Sequence, residues 1–191
     1  MKRTAQSPPD ALAVSKVLER ALTQSGDNIM DLSAASPVLL VFLRHAGCSF
    51  CREALGDIAR ERGAIERSGT RIILVHMGET AAFDTLLLKY GLSELDRICY
   101  GARDLYRAFG IQRGTLRQLF GPKVWWRGLL GGVVSRHGIA AAKADSSQMP
   151  AIFLVHHASI VRRFRHRSAA DRPDYLAFCG GDRSLRCGAA K

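Results

Sequence analysis

Two cysteines separated by two residues, Cys48 and Cys51, are the side chains in this sequence best suited to chemistry. Paired thiols at this spacing can form a redox disulfide, supply half of a metal site, or pack as small apolar side chains. They follow the apolar run 38–43 directly and precede a segment with helical periodicity. The spacing alone leaves these three alternatives open.

The flanking elements predict where the two thiols lie. The run 38–43 does not alternate between apolar and polar residues, so it predicts a strand buried on both faces. The helix after it is indicated by apolar residues on one side: Leu55, Ile58, Ala59 and Ile65. The dithiol therefore falls between the carboxyl end of a strand and the first turn of a helix. Reactive groups of open α/β sheets lie at that edge, and a helix N-terminus stabilises a thiolate.

The i, i+3 spacing places both sulfurs on one side of the first helical turn, within disulfide reach. Cys48, nearer the helix end and solvent, is predicted to be the attacking thiolate, and Cys51 the more buried resolving partner. Arg44, His45 and Arg52 add positive potential that would lower the pKa of Cys48. For His45 three roles stay open: a base, a counter-ion of the thiolate, or a loop residue.

The remaining cysteines argue against zinc. A structural zinc site needs four ligands, usually with a second close pair. Cys179 and Cys187 are spaced poorly for this and fall in a predicted tail, whereas Cys99 is predicted to be a core residue. We therefore favour a redox dithiol, with no metal, flavin or nicotinamide cofactor. For Cys179 and Cys187 we expect no role, the alternative being electron transfer with the dithiol.

The pattern of elements predicts an α/β fold with a mixed central sheet flanked by helices. We expect a flexible tail over 1–9, one domain over 10–178 with a Gly-rich, Trp-containing insertion at about 112–148, and a flexible tail over 179–191. Trp125 and Trp126 of the insertion are expected to cover apolar surface. The first predicted helix is 10–26, with Asp10 as its cap and Gly26 at its end. Further helices are predicted over 81–90, 105–109 and 173–178, and further strands over 71–75, 97–100, 151–155 and 160–164. The last two strands are joined by a turn at His157 and Ala158.

Pro150 stands directly before the strand 151–155, a position where proline is permitted, and a cis Met149–Pro150 bond would turn the chain back sharply. A CxxC after the first central strand, with an X-Pro opening a late hairpin strand, resembles the thioredoxin fold. In that fold the proline is cis, lies against the dithiol and helps to receive substrate backbone. The resemblance therefore implies that Met149 and Pro150 bind substrate.

Three segments narrow the resemblance: VFLRHAGCSFCREAL, GARDLYRAFG and QMPAIFLVHHASIVRRFRHRSAADRPDY. Together they are similar to the peroxiredoxin-like AhpC/TSA branch, including its SelL-related redox proteins, over roughly residues 36–178. The chain departs from the peroxiredoxin pattern PxxxTxxC, since His45 and Val41 stand where Thr and Pro are expected. The WCGPC of thioredoxins is also absent.

Composition and charge limit the class of protein and its location. The chain has 191 residues, is 47% hydrophobic and carries a formal charge of +11. Its arginines are spread along the chain without interleaved aromatic residues, which argues against a nucleic-acid surface. No apolar run approaches the roughly 20 residues that span a bilayer. No apolar h-region follows the basic start MKRTAQSPPD, so we expect a cytoplasmic protein.

These observations predict a thiol–disulfide oxidoreductase with an antioxidant, redox-homeostasis role. Its partners would be a protein or small-molecule disulfide, or a peroxide, and an external thiol reductant. One alternative is a thiol peroxidase that uses the same cysteine; another is a basic, non-enzymatic binding or redox-sensing module. Two hairpin features are expected to be without catalytic roles: His156 and His157 at a strand end, and a solvated arginine face of Arg162, Arg163 and Arg165.

Overall fold

The computed structural model describes residues 9–77, 80–99, 102–113, 148–166 and 171–180. Residues 1–8 of the predicted tail 1–9, residues 114–147 of the predicted insertion, with Trp125 and Trp126, and Cys187 lie outside the described residues. The described strands are β1 Val38–Phe42, β2 Arg71–Val75, β3 Asp96–Ile98, β4 Ala151–His156 and β5 Ser159–Arg165. The described helices are α1 Ala11–Leu18, α2 Ile29–Ala35, α3 Ser49–Arg67, α4 Thr80–Lys89, α5 Ala102–Ala108 and α6 Tyr175–Gly180.

These strands form one mixed sheet in the order β3-β2-β1-β4-β5. β1, β2 and β3 are parallel, whereas β4 runs antiparallel to β1 and to β5. At the carboxyl end of β1, Phe42 lies between Val75 of β2 and Ala151 of β4. The predicted mixed α/β sheet is confirmed.

β1 is buried on both faces because its alternate side chains enter two separate cores. Leu40 and Phe42 pack in the cluster that includes residues of α1 and α5. Leu39 and Val41 pack in the cluster that includes residues of α3, α4 and α6. Every residue of β1 is buried, as the unbroken apolar run predicts.

The first helix is shorter than predicted. Asp10 caps α1 as expected, since its carboxylate accepts from the Leu12 N–H at 3.1 Å. The helix ends at Leu18, however, and a second short helix, α2, begins after Asn28, whose side chain accepts from the Met30 N–H at 2.8 Å. Gly26 has a φ of +87° and makes the turn between these helices, so the prediction that it closes α1 is wrong.

The hairpin β4–β5 contains the predicted tight turn. His157 and Ala158 both have left-handed backbone, with φ of 48° and 57°. Such a pair of residues matches the twist of a two-residue hairpin turn. The turn is held from α2, because the Ser33 carbonyl accepts from the His157 N–H at 2.9 Å and the Ser33 hydroxyl oxygen accepts from the Ala158 N–H at 3.2 Å.

Two predictions about cysteines are wrong. Cys179 belongs to α6 and is 8% exposed, because the helix continues past residue 178 and packs on the α3 side of the sheet. Cys99 is half-buried rather than a core residue, because β3 ends at Ile98, one residue before it. The Thr80 hydroxyl lies 3.5 Å from the Cys99 sulfur.

Candidate redox site

Cys48 is the N-cap residue of α3 and Cys51 lies in its first turn, as the sequence predicts. A five-residue loop connects the end of β1 to this cap, and its turn is closed by the Cys48 N–H, which donates to the His45 carbonyl at 3.0 Å. The loop therefore delivers the dithiol to the edge of the sheet where β1 ends and β4 begins.

The two cysteines come within 3.4 Å of each other and are free thiols. The Arg44 backbone N–H donates to the Cys51 sulfur at 3.2 Å, and the Arg44 guanidinium reaches the Cys48 sulfur at 3.6 Å. Cys48 is 6% exposed and Cys51 2%. Cys48 is the more exposed of the two, as predicted. Because even Cys48 is buried, a reaction partner has to approach it through a cleft.

The surroundings of the dithiol separate the two pKa values. The pKa of Cys48 is lowered from 9.0 to about 6, chiefly because the Cys51 thiol donates a hydrogen bond to it. Burial opposes this shift, while the Arg44 charge and the backbone N–H groups of Cys51 and Phe50 support it. The pKa of Cys51 is raised well above 9.0 by burial and by its interaction with Cys48. At neutral pH the pair is thus a Cys48 thiolate beside a Cys51 thiol.

Of the three residues expected to support the thiolate, Arg44 reaches the sulfur. The pKa of His45 is lowered to about 4 by burial and by the Arg44 charge. His45 is therefore neutral at pH 7, which argues against a role as the counter-ion of the thiolate. The Arg52 Nε donates to the Ala46 carbonyl at 3.1 Å, which holds the loop that precedes the dithiol.

Pro150 lies at the site and Met149 does not. Pro150 lines the cleft beside Cys48, whereas Met149 is 2% exposed and packs in the core on the α1 side of the sheet. The described residues contain no cis peptide bond, so the expectation of a cis Met149–Pro150 bond is wrong. The residues before Pro150 pair with the segment that follows α5 instead. Gln148 forms an isolated antiparallel bridge with Arg113, and the Met149 N–H donates to the Gln112 carbonyl at 3.3 Å.

The cleft is narrow, with a cavity volume of about 20 Å³, and it opens to solvent at its mouth. Its walls are the end of β1, the first turns of α3, the start of β4 and the segment before α6. Several lining residues were not predicted from the sequence: Glu53, Asp57, His166, Arg172 and Tyr175. The guanidinium of Arg172 forms a bidentate ion pair with Asp57 and contacts Glu53 at 3.2 Å. The DRPDY segment that carries the resemblance contains Arg172, but nothing in the sequence indicates its carboxylate partners.

A peroxiredoxin and a disulfide oxidoreductase are among the solved structures to which this chain is similar. Xanthomonas campestris peroxiredoxin Q matches with a TM-score of 0.61 at 15% identity, covering 87% of this chain and 93% of that one. A secreted Mycobacterium tuberculosis disulfide oxidoreductase homologous to E. coli DsbE matches with a TM-score of 0.54 at 14% identity, covering 87% and 97%. The chain has a thioredoxin fold. No protein-family model and no curated protein matches it.

Within this thioredoxin fold, the hairpin arginines do not line the cleft. Arg162 donates to the Phe178 carbonyl at 3.2 Å and Arg165 to the Phe109 carbonyl at 3.0 Å, so they tie β5 to the segments beside it. Arg163 is exposed, as the prediction of a solvated face requires.

Two kinds of feature are absent from the described residues. No three His, Cys, Asp or Glu side chains among them are grouped closely enough to hold a metal ion. In the same part of the chain, no helix has the length and apolar character needed to cross a membrane.

Proposed function

We propose that this protein is a thiol–disulfide oxidoreductase in which Cys48 attacks and Cys51 resolves. The observation that carries the proposal is the pair itself: a thiolate with a pKa of about 6 at the N-cap of α3, hydrogen-bonded by a buried thiol. A low pKa keeps Cys48 ionised at neutral pH, and only the thiolate is a nucleophile. The expected setting is cytoplasmic redox homeostasis.

The reaction proceeds by two exchanges. The Cys48 thiolate attacks one sulfur of a substrate disulfide, forms a mixed disulfide and releases the other sulfur as a thiolate. Cys51 then loses its proton to solvent, attacks the Cys48 sulfur and releases the second substrate thiolate. The substrate has gained two electrons and the protein holds a Cys48–Cys51 disulfide. An external thiol reductant returns it to the dithiol.

The surroundings of Cys51 favour the second step. Its pKa is raised in part by the negative charge of Cys48, and that charge disappears when Cys48 enters the mixed disulfide. The backbone N–H groups of Arg44 and His45 act in the opposite direction and lower the pKa of Cys51. Cys51 therefore becomes easier to ionise at the stage when it has to attack.

A second candidate is peroxide reduction by the same cysteine. It is favoured by the burial of Cys48, since a small oxidant enters a narrow cleft more easily than a protein disulfide does. In this case Cys48 becomes a sulfenic acid, and Cys51 condenses with it to the same disulfide with release of water.

Alkylation of the reduced protein across pH, read by mass at each cysteine, tests the proposal. We expect Cys48 to react with a midpoint near pH 6, while Cys179, whose pKa burial raises to about 12, serves as an internal control that stays unreactive. Stoichiometric 4,4′-dithiodipyridine should then produce a Cys48–Cys51 disulfide in the wild type and none in Cys48→Ser. A Cys48 that titrates near 9 and forms no bond with Cys51 would exclude the mechanism.

A further inference from the structure

His166 lines the same cleft as Cys48 although it lies 118 positions further along the chain (166 − 48). It follows β5 directly, and the sheet register explains its position: Ala151 is paired with Phe42 on one side and with Arg165 on the other. The residue after Arg165 therefore stands beside Pro150. His166 and Pro150 both line the cleft that contains Cys48.

The imidazole of His166 is held in one tautomer. His166 is 7% exposed, and burial lowers its pKa to about 4, so the ring is neutral at pH 7. The Pro150 carbonyl accepts a hydrogen bond from the ring. Because Nδ1 has no hydrogen-bond partner, the proton that bonds to Pro150 is carried by Nε2. Nδ1 is thus a buried acceptor with nothing to accept from.

A buried acceptor without a donor costs free energy unless a ligand supplies the donor. Cys48 and His166 line the same cleft. Because Nδ1 can accept a hydrogen bond but cannot donate one, it can bind an oxidant that carries a hydrogen on oxygen and cannot bind a disulfide in this way. In a hydroperoxide, R–O–O–H, one of the two oxygens carries a hydrogen. The bonded sulfurs of a disulfide carry none.

We propose that His166 is the substrate-recognition residue of this cleft, and that its Nδ1 accepts the O–H of a hydroperoxide presented to Cys48. The inference rests on the proposed dithiol chemistry and concerns its second candidate oxidant, a peroxide. The Cys48 sulfur forms a bond to the hydroxyl oxygen while the O–O bond breaks. Sulfur is oxidised by two electrons, the hydrogen stays on the transferred oxygen as Cys48–S–O–H, and the leaving alkoxide takes a proton from solvent.

The same acceptor suits the product. A sulfenic acid also carries its hydrogen on oxygen, so the hydrogen bond to Nδ1 persists after transfer. Cys51 then attacks the Cys48 sulfur, its thiol proton leaves with the hydroxyl group as water, and the Cys48–Cys51 disulfide remains. His166 changes neither its charge nor its tautomer in this sequence, so it binds and orients the oxidant without transferring a proton.

Two substitutions of His166 separate recognition from structure. His166→Gln keeps an N–H in place of Nε2 for the Pro150 carbonyl and loses the acceptor at the Nδ1 position. His166→Asn keeps an acceptor near the Nδ1 position and loses the bond to Pro150. The reduced proteins are mixed with tert-butyl hydroperoxide or with 4,4′-dithiodipyridine, which carries no O–H or N–H, and the single-turnover formation of the disulfide is followed by mass.

We expect His166→Gln to slow oxidation by tert-butyl hydroperoxide about fivefold to tenfold, which corresponds to the loss of one hydrogen bond. The same substitution should slow oxidation by dithiodipyridine less than about twofold. His166→Asn should retain more of the hydroperoxide rate than His166→Gln does. Equal slowing with both oxidants, or a larger loss in His166→Asn, would mean a structural role and overturn the inference.

The failure of the inference and the failure of the proposed function give different results. A wild type that dithiodipyridine oxidises and hydroperoxide does not would overturn the role of His166 and leave the oxidoreductase intact. A wild type in which neither oxidant links Cys48 to Cys51 would overturn both.

Discussion

Replacing Arg44 with methionine removes the guanidinium that lies 3.6 Å from the Cys48 sulfur. Two unit charges at that distance interact by about 4 to 5 kcal/mol at an effective dielectric constant of about 20, which corresponds to roughly three pKa units. This is an upper limit, because the charge of the guanidinium is delocalised and because Arg44 ranks below the Cys51 hydrogen bond among the causes that lower the pKa. We expect the pKa of Cys48 to rise from about 6 by roughly one to two units.

The assay is the rate of iodoacetamide alkylation at Cys48 as a function of pH, read by mass in the reduced protein. Arg44→Lys keeps the positive charge and should show a smaller rise than Arg44→Met. Arg163→Met removes an exposed charge from β5 and should leave the midpoint near pH 6. The electrostatic reasoning is refuted if Arg44→Met leaves the midpoint in place, or if Arg163→Met moves it as far.

Three further predictions concern the dithiol and the stability of the fold. Cys51→Ala should raise the pKa of Cys48 more than the loss of the guanidinium does, because the Cys51 hydrogen bond is the largest cause of the lowered value; the same alkylation profile measures it. The unfolding free energy of the wild type should fall as the pH is lowered from 6.5 to 4, and His76→Phe should make that fall smaller, as measured by urea unfolding. Burial lowers the pKa of His76 from 6.5 to about 4, so in that window the unfolded chain binds a proton that the folded chain does not. Arg172→Gln should lower the unfolding free energy by about 1 kcal/mol at pH 7, since the carboxylate of Asp57, 3% exposed, loses its bidentate partner but keeps its ion pair with Arg60, and the Arg172 side chain is itself 45% exposed.

Each of these has an outcome that contradicts it. A Cys48 midpoint that stays near 6 without Cys51 would remove the hydrogen bond as the main cause. An unchanged acid slope in His76→Phe would mean that other groups carry the proton uptake. Glu53→Gln is the control for Arg172→Gln, because Glu53 is the more exposed partner at 19%, and it should cost less.

Local patterns predicted most of the sheet and missed a helix. The apolar runs of β1, β2 and β4 were predicted within a residue or two, because a strand buried on both faces needs an unbroken apolar sequence. The helix α2 has only seven residues, too few for a periodic pattern to separate it from α1. Its place is set by tertiary contacts, including the bonds from the hairpin turn to Ser33.

By itself, the sequence determined the setting of the dithiol, because an apolar run, a CxxC and a helical pattern are local and consecutive. Only the tertiary structure decided which of the predicted positive groups reaches the thiols and which distant residues line their cleft. It brings the side chain of Arg44 to Cys48. It also joins Asp57 to Arg172 across 115 positions and sets His166 beside Pro150. Such contacts depend on the strand order and on the register between β1, β4 and β5, which no local pattern encodes.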